Sequence, residues 1–542
     1  MKNWKLFLIA SLFISACNNL EEADLIVHNA SIYTLNEILP RAEAMAVKDG
    51  KIVAIGPENE ILNKYTSPHK IDARKMPVYP GFIDAHCHFL GYGLFLNVLD
   101  LKNSHSFNEV IDKVLLYSKN SLSEWIIGRG WDQNDWEEKK FPNKNLLDSL
   151  FPSTPIYLKR VDGHAALLNS KALELAGITS QTKIEGGEIF IENGNLTGII
   201  TDNTMNLVEK VLPKKTIEEK RKAFLLAQKN CFAVGLTTVS DAGLDLEDIM
   251  LIKKMHESGE LKMRIYAMLN PSEENEQLAL QGIIKTSHLS VRSFKLYADG
   301  SLGSRGALLK QPYSDMPTHR GVIVDSLEKL NHFAALCSRL NFQLNTHSIG
   351  DSANALMLSI YAKYLKSTND LRWRIEHAQV VDKKDFTFFS EYTIIPSVQP
   401  THATSDMYWA NQRLGTHREH QAYAYNELMQ LNGLIALGTD FPVEEINPLY
   451  TFYAAVFRKD HKGFPENGYQ PINALSRENA LKGMAIWAAI ANFEENEKGS
   501  LEAGKNADFV ILDRDILKVK ENLVLNARVV YTFVNGEKVF GN

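Results

Sequence analysis

Along most of the chain, short apolar and β-branched runs stop abruptly at polar residues, and helical text separates several of them. The runs are "VYPGFIDAHCH", "GLTTVSDAG", "MRIYAML", "RSFKLYADGS", "FQLNTHSIGD", "RWRIEHAQ", "TIIPSVQPTH" and "GLIALGTDFPV". Each reads as a buried strand, and Thr216 to Ala233, with Lys, Glu, Leu and Ala at helical spacing, reads as an intervening helix. Strand, loop and helix repeated in this way predict an α/β fold, a (β/α)8 TIM-type barrel over 81–498, whose reactive groups sit where strands end.

The two chain ends have a different texture. Ala23 to Val78 alternates in "DLIVHNASIYTL", "AEAMAVKDGKIVAIG" and "KMPVYPG", with Asp-Gly and Gly-Pro turn signals, and "ADFVILDRD" and "ARVVYTFVNGEKVF" repeat that pattern at the C-terminus. These segments predict one discontinuous β-sandwich built from 23–80 and 499–542. About 101–212 exceeds what one barrel strand and helix need, and contains the hairpin signal "KIEGGEIFIENGNLTGII". It is expected to be an insertion over the barrel mouth, a common place for a lid or substrate pocket.

Composition narrows the class. With 542 residues and 45% hydrophobic content, the chain can build a large enzyme core and is not disordered. Residues 1–16 carry Lys2 and Lys5, an apolar run Leu6 to Ile14 and small residues before Cys17, which reads as a signal peptide. The ending Ile14-Ser15-Ala16-Cys17 resembles a bacterial lipobox, so the expected product is exported and held at the membrane by lipid on Cys17, facing the periplasm or cell surface. No later run reaches about 18 uninterrupted apolar residues, so acyl chains would be the anchor. Removing Lys2 and Lys5 takes the charge from −6 to −8, which argues against nucleic acid as a partner. Cys87, Cys231 and Cys337, an odd and widely spaced trio, form no disulfide framework.

The candidate chemistry falls at the strand ends. His86 and His88 flank Cys87 in "DAHCH", so on a strand both imidazoles face one way and the thiol the other. Two such nitrogens can share a cation, although His-x-His alone also describes hydrogen-bonded loop histidines. His347 in "NTHSIGD" and His377 in "RIEHAQ" each follow an apolar run. Asp440 in "GTDFPV" offers a carboxylate to a metal or a proton, or a helix cap. Lys295 lies within an apolar run, where an unpaired ammonium is costly, which suits modification or metal work.

The order of these residues, with "AVKDGKIVAIG", "PGFIDAHCH", "GRGWDQ", "DGHAALLNSKAL", "FKLYADGSLGSRGA", "HSIGD", "RIEHAQ", "SVQPTHATSD", "GTDFPV" and "KGSLEAGKNADFVILDRD", resembles the amidohydrolase superfamily. The likeness is to its amidohydrolase-3, YtcJ-like branch, which includes N-substituted formamide deformylase, and it spans nearly all of the chain after Cys17. It implies hydrolysis of an amide-type C–N bond in a small molecule. It also implies two divalent metals, zinc favoured by the histidine-rich set: His86, His88 and Asp440 hold the buried one, His347 and His377 the second, and a carbamylated Lys295 bridges them. Asp440 then serves as proton shuttle. Asp132, His164, Arg305 and Gln399 lie in similar strings and are expected to position substrate, while Trp131 and Trp136 suit either lid core or pocket wall. A homodimer is left open. Two other readings share these residues: a mononuclear deaminase with unmodified Lys295, and a binding lipoprotein on an inactive scaffold.

Overall fold

The computed structural model describes residues 20–119 and 124–541, so the segment carrying Cys17 lies outside the described residues. Its centre is a nine-stranded sheet in which a short strand, Ile284–Lys285, adds antiparallel to the edge of β4 and the other eight run parallel: β1 (Phe82–Cys87), β2 (Leu236–Leu244), β3 (Arg264–Leu269), β4 (Leu289–Tyr297), β5 (Gln343–Ser348), β6 (Arg374–His377), β7 (Ile395–Val398) and β8 (Ala436–Leu437). They pair in chain order, so each crossover brings the next strand alongside the last. The strands are buried along almost their whole length, because one face fills the barrel and the other meets the surrounding helices. The long helix Ile217–Ala233 starts at a capping box: Thr216 accepts from the Glu219 amide and Glu219 reaches back to the Thr216 amide.

The barrel is closed at the β8–β1 seam by the chain just beyond β8. The Asp440 amide donates to the His86 carbonyl at 2.8 Å, and the His88 amide donates to the Phe441 carbonyl at 2.9 Å. The strands approach so closely that a Cβ on Gly438 would lie 2.6 Å from the His86 nitrogen, which only glycine avoids. Asp84 on β1 reinforces the seam by accepting from the Thr439 amide and hydroxyl, at 3.1 and 2.7 Å.

Between β1 and β2 the chain builds a six-stranded sheet of its own. Its order is Leu99–Asp100, Ile126–Trp131, Ile156–Arg160, Ala165–Leu168, Asn195–Asp202 and Gly187–Glu192. The last two form an antiparallel hairpin that turns at Asn193-Gly194, both at positive φ. Separate apolar cores cover its two faces. Trp131 and Trp136 belong to one of them, their indole nitrogens donating to the Leu158 and Ser104 carbonyls.

The chain ends meet in another six-stranded sheet. Phe509–Leu512 pairs antiparallel with Pro77–Pro80, placing Phe509 opposite Pro80 and Ile511 opposite Val78. A four-stranded sheet from the N-terminal segment packs with it around Val27, Val47, Val78, Phe509 and Phe533. This module is joined to the barrel by Arg264 on β3, whose guanidinium donates to both oxygens of Asp508, at 2.6 and 3.1 Å.

Candidate metal centre

Strand geometry gathers the predicted ligands at one end of the barrel. His86 lies on β1 and His88 directly follows it, while Lys295, His347 and His377 come from β4, β5 and β6, and Asp440 from the turn after β8. His377 and Asp440 have φ of 75° and 61°, a region that costs a non-glycine residue energy and is found where backbone strain serves a site. Cys87 points away, its thiol donating to the Ser240 carbonyl, and all three described cysteines are buried and free.

The imidazoles are oriented from behind. Glu376 Oε2 lies 2.7 Å from His86 Nδ1, and because a carboxylate accepts, Nδ1 carries the proton and Nε2 turns its lone pair inward. Gln399 Oε1 does the same for His377 Nδ1, also at 2.7 Å. On the inner side, Asp440 Oδ1 lies 3.7 Å from His86 Nε2 and 3.2 Å from His88 Nε2, and Lys295 Nζ is 3.5 Å from His86 Nε2. The His86 lone pair thus faces Asp440 Oδ1, the carboxylate oxygen that His88 Nε2 also approaches. Two acceptors facing each other in a buried pocket suit a cation between them. Two groups of ligand atoms lie within 4.8 Å of one another: His86, His88 and Asp440, and also His377, His402 and Asp440.

The electrostatics agree with that donor set. Burial pushes His88 down to about 4 despite the pull of Asp440, and burial with neighbouring imidazoles holds His347 and His377 well below the ordinary histidine range. Neutral imidazoles are the form that binds metal. Burial also opposes charge on Asp440, but the surrounding His88, His86 and His377 keep its carboxyl well below the usual range. Lys295 is pushed down to about 8 by burial, against the attraction of Glu376 and Asp440.

A cavity of about 200 Å³ opens above these groups. Asp132 and His164 line it from the inserted sheet, together with Arg160 and Asp162. His164 Nδ1 is 2.7 Å from Asp202 Oδ1, and its ring centroid is 4.9 Å from that of His347. Arg305 does not join them: it lies outside the cavity lining, with its guanidinium held by Asp315 at 2.9 Å. Gln399 is fully buried behind His377 and orients that ring instead of facing the cavity. Trp409 lines the cavity, while Trp131 and Trp136 do not.

Sequence reasoning did not single out Glu376, Arg160 or His402. Glu376 had a signal, a carboxylate beside His377 in the run "RWRIEHAQ", on a strand that proves buried throughout. Arg160 is almost wholly buried, donating to Gln133, Asp132 and Asp162, a set no spacing in the chain reveals.

A (β/α)8 barrel with histidines and an aspartate converging at its strand ends is the architecture of a metal-dependent hydrolase. The chain belongs to the amidohydrolase family, whose model matches residues 70–540. Among its relatives, the putative amidohydrolase YtcJ of Bacillus subtilis is 30% identical, over 95% of this chain and 98% of its own length. N-substituted formamide deformylase of Arthrobacter pascens is 25% identical, over 95% and 97%. A solved metal-dependent hydrolase of Pyrococcus horikoshii superposes with a TM-score of 0.75 at 28% identity, covering 92% of this chain and 99% of that one.

Proposed function

We propose that the protein hydrolyses an amide-type C–N bond of a small molecule, using two divalent cations, zinc favoured. His86, His88 and Asp440 would hold one, His347 and His377 would hold the second, and a carbamylated Lys295 would serve as a ligand to both. The observation that carries this reading is the convergence of neutral imidazole nitrogens and the Asp440 carboxylate on one buried point. When bound, the cations supply Lewis acidity at the substrate carbonyl and at water.

The chain's own residues do the rest. Asp440 accepts a proton from the attacking water and returns it to the leaving nitrogen, which is too basic to depart unprotonated. Glu376 and Gln399 keep His86 and His377 in the tautomers that face inward. The inserted sheet narrows the cavity from above, so Asp132, Asp162 and His164 bear on the part of the substrate remote from the scissile bond. Lys295, with its ammonium pushed down to about 8, has a neutral fraction at mild alkaline pH that can capture carbon dioxide.

The similarity to N-substituted formamide deformylase makes N-formyl compounds the first substrates to try. The test is a panel of N-formyl amines, N-acyl amino acids and cyclic amides, assayed with metal-free and metal-reloaded protein. Hydrolysis restored by metal supports the reading, and metal binding without turnover on any C–N substrate would sink it. We further propose that the protein acts outside the cytoplasm, anchored through lipid on Cys17.

A further inference from the structure

We propose that the stretch of cavity wall built from Asp135, Gln379, Asp406 and Glu444 binds an ammonium group, so that the substrate is a small amide carrying a second, protonated amine. The inference deepens the hydrolytic reading above and rests on it for the amide. Three separate elements bring the carboxylates there: Asp135 from the turn after the inserted strand Ile126–Trp131, Asp406 from the close of the helix Pro400–Asp406, and Glu444 from the loop beyond β8. Apart from histidines, the cations lining the cavity are Arg160 and Lys295, and both are committed elsewhere. Arg160 donates to Asp132 and Asp162, and Lys295 lies beside His86. Asp135, Asp406 and Glu444 have no ion pair among the described residues. Burial pushes Asp406 up to about 7 and Asp135 up to about 6, and Glu444 and Asp132 add to both shifts. Carboxylates crowded in a concave wall without a counter-charge set up a field that favours a cation.

A neutral side chain points the same way independently. Gln379 borders the same cavity and is only 3% exposed. Its Nε2 donates to Asp406 Oδ2 at 2.6 Å, and because a carboxylate accepts, the amide is fixed with Oε1 at its other corner. There Oε1 is buried and has no hydrogen-bond partner among the described residues, which calls for a donor that the chain does not supply. The Tyr423 hydroxyl donates to the same Asp406 Oδ2 at 2.8 Å, so Oδ1 is the oxygen left for a ligand. An ammonium group meets both needs, charge for the carboxylates and N–H for Gln379. A neutral hydroxyl would meet only the second, and a quaternary ammonium only the first. Trp409, three residues beyond Asp406 and buried, gives the cavity an apolar wall for the connecting carbons.

The experiment compares four compounds of matched length: the mono-formamide of a short alkane diamine, the neutral alkyl formamide, the formamido-carboxylate, and the trimethylammonium derivative of the first. Each is assayed for kcat/KM with the full-length, zinc-loaded protein and for binding to the metal-free protein by calorimetry. The ammonium compound should exceed the neutral one by about ten-fold in both measurements, with the carboxylate weakest and the trimethylammonium compound between. Asp406→Asn should shrink the ammonium-to-neutral ratio, as should Asp135→Asn, whose exposed side chain places little demand on the fold. Gln379→Met should bring the ammonium compound down towards the trimethylammonium one. Circular dichroism confirms that each variant is folded. Equal or tighter binding of the neutral or anionic compound, or a ratio that the variants leave unchanged, overturns the assignment. If the metal-loaded protein hydrolyses no amide, the hydrolytic reading fails, while calorimetry on the metal-free protein still decides the ammonium site.

Discussion

Glu376 Oε2 and His86 Nδ1 stand 2.7 Å apart in a place fully closed to solvent, and Arg374 Nη1 lies 3.9 Å from the other carboxylate oxygen. Burial alone would discourage a charge on Glu376, but His86 and Arg374 hold its carboxyl below the usual range. The ionised carboxylate fixes the His86 tautomer. Glu376→Gln keeps the shape and loses the charge, so metal affinity should fall about 10- to 100-fold. Chelator competition on the purified variant measures it. Unchanged affinity would remove Glu376 from the site's design.

Asp440 and Lys295 should fail differently. Asp440→Asn keeps a weak oxygen donor but cannot take a proton, so it should retain much of its metal and lose roughly 10²–10⁴ in turnover. Lys295→Ala should lose much of the second metal, and short carboxylic acids added in solution should restore part of the activity. Metal content measured beside kinetics separates the two. A Lys295→Ala variant with full metal and near-normal turnover would rule out the bridge, and a fully active Asp440→Asn would place the base elsewhere.

The Asp508–Arg264 pair ties the terminal module to the barrel, both side chains being almost wholly buried. Removing one partner leaves the other charge buried and alone, so Asp508→Ala should cost about 3–5 kcal/mol. Burial opposes the Asp508 charge, but Arg264 and the Asn535 amide hold its carboxyl below the usual range. A depressed folded value means that the pair's contribution is complete above about pH 4 and declines as pH falls through that lower value. Denaturant melts of wild type and Asp508→Ala should therefore converge towards strongly acidic pH. A constant gap down to acid unfolding would contradict the assignment.

Lipid on Cys17 would require at least two acyl chains for stable anchoring. Cys17→Ser expressed in a bacterial host should move the protein from the membrane fraction to the soluble one. Mass spectrometry of the wild-type N-terminus is the direct check, and an unmodified Cys17 in soluble protein would refute the anchor.

The barrel was legible because its strands are buried on both faces, which leaves continuous apolar runs ending in polar residues. His86 and His88 were legible because alternation along a strand puts them on one face. His402 was not, since it lies within a helix just past its strand, where period-two reasoning no longer applies. Arg305 was misplaced for a related reason: its neighbours in the string predict a loop near the mouth, but only the fold shows Asp315 holding the side chain away from the cavity. The inserted sheet combines parallel and antiparallel pairings, and its parallel neighbours are joined through helical text that carries no mark of which strands meet.

The seam between β8 and β1 has a consequence for how the protein responds to its surroundings. The residues whose amides close the barrel, Asp440 and His88, are the residues whose side chains would grip the first cation. A cation bound there would stabilise the closed seam over any form that cannot bind it, each ten-fold rise in free metal above the dissociation constant adding about 1.4 kcal/mol. Scarcity of metal would be felt first as loosened backbone at this junction, with faster amide exchange at Asp440 and His88 than at the opposite wall of the barrel. A cell starved of metal would thus hold a protein more exposed to proteolysis as well as an idle one.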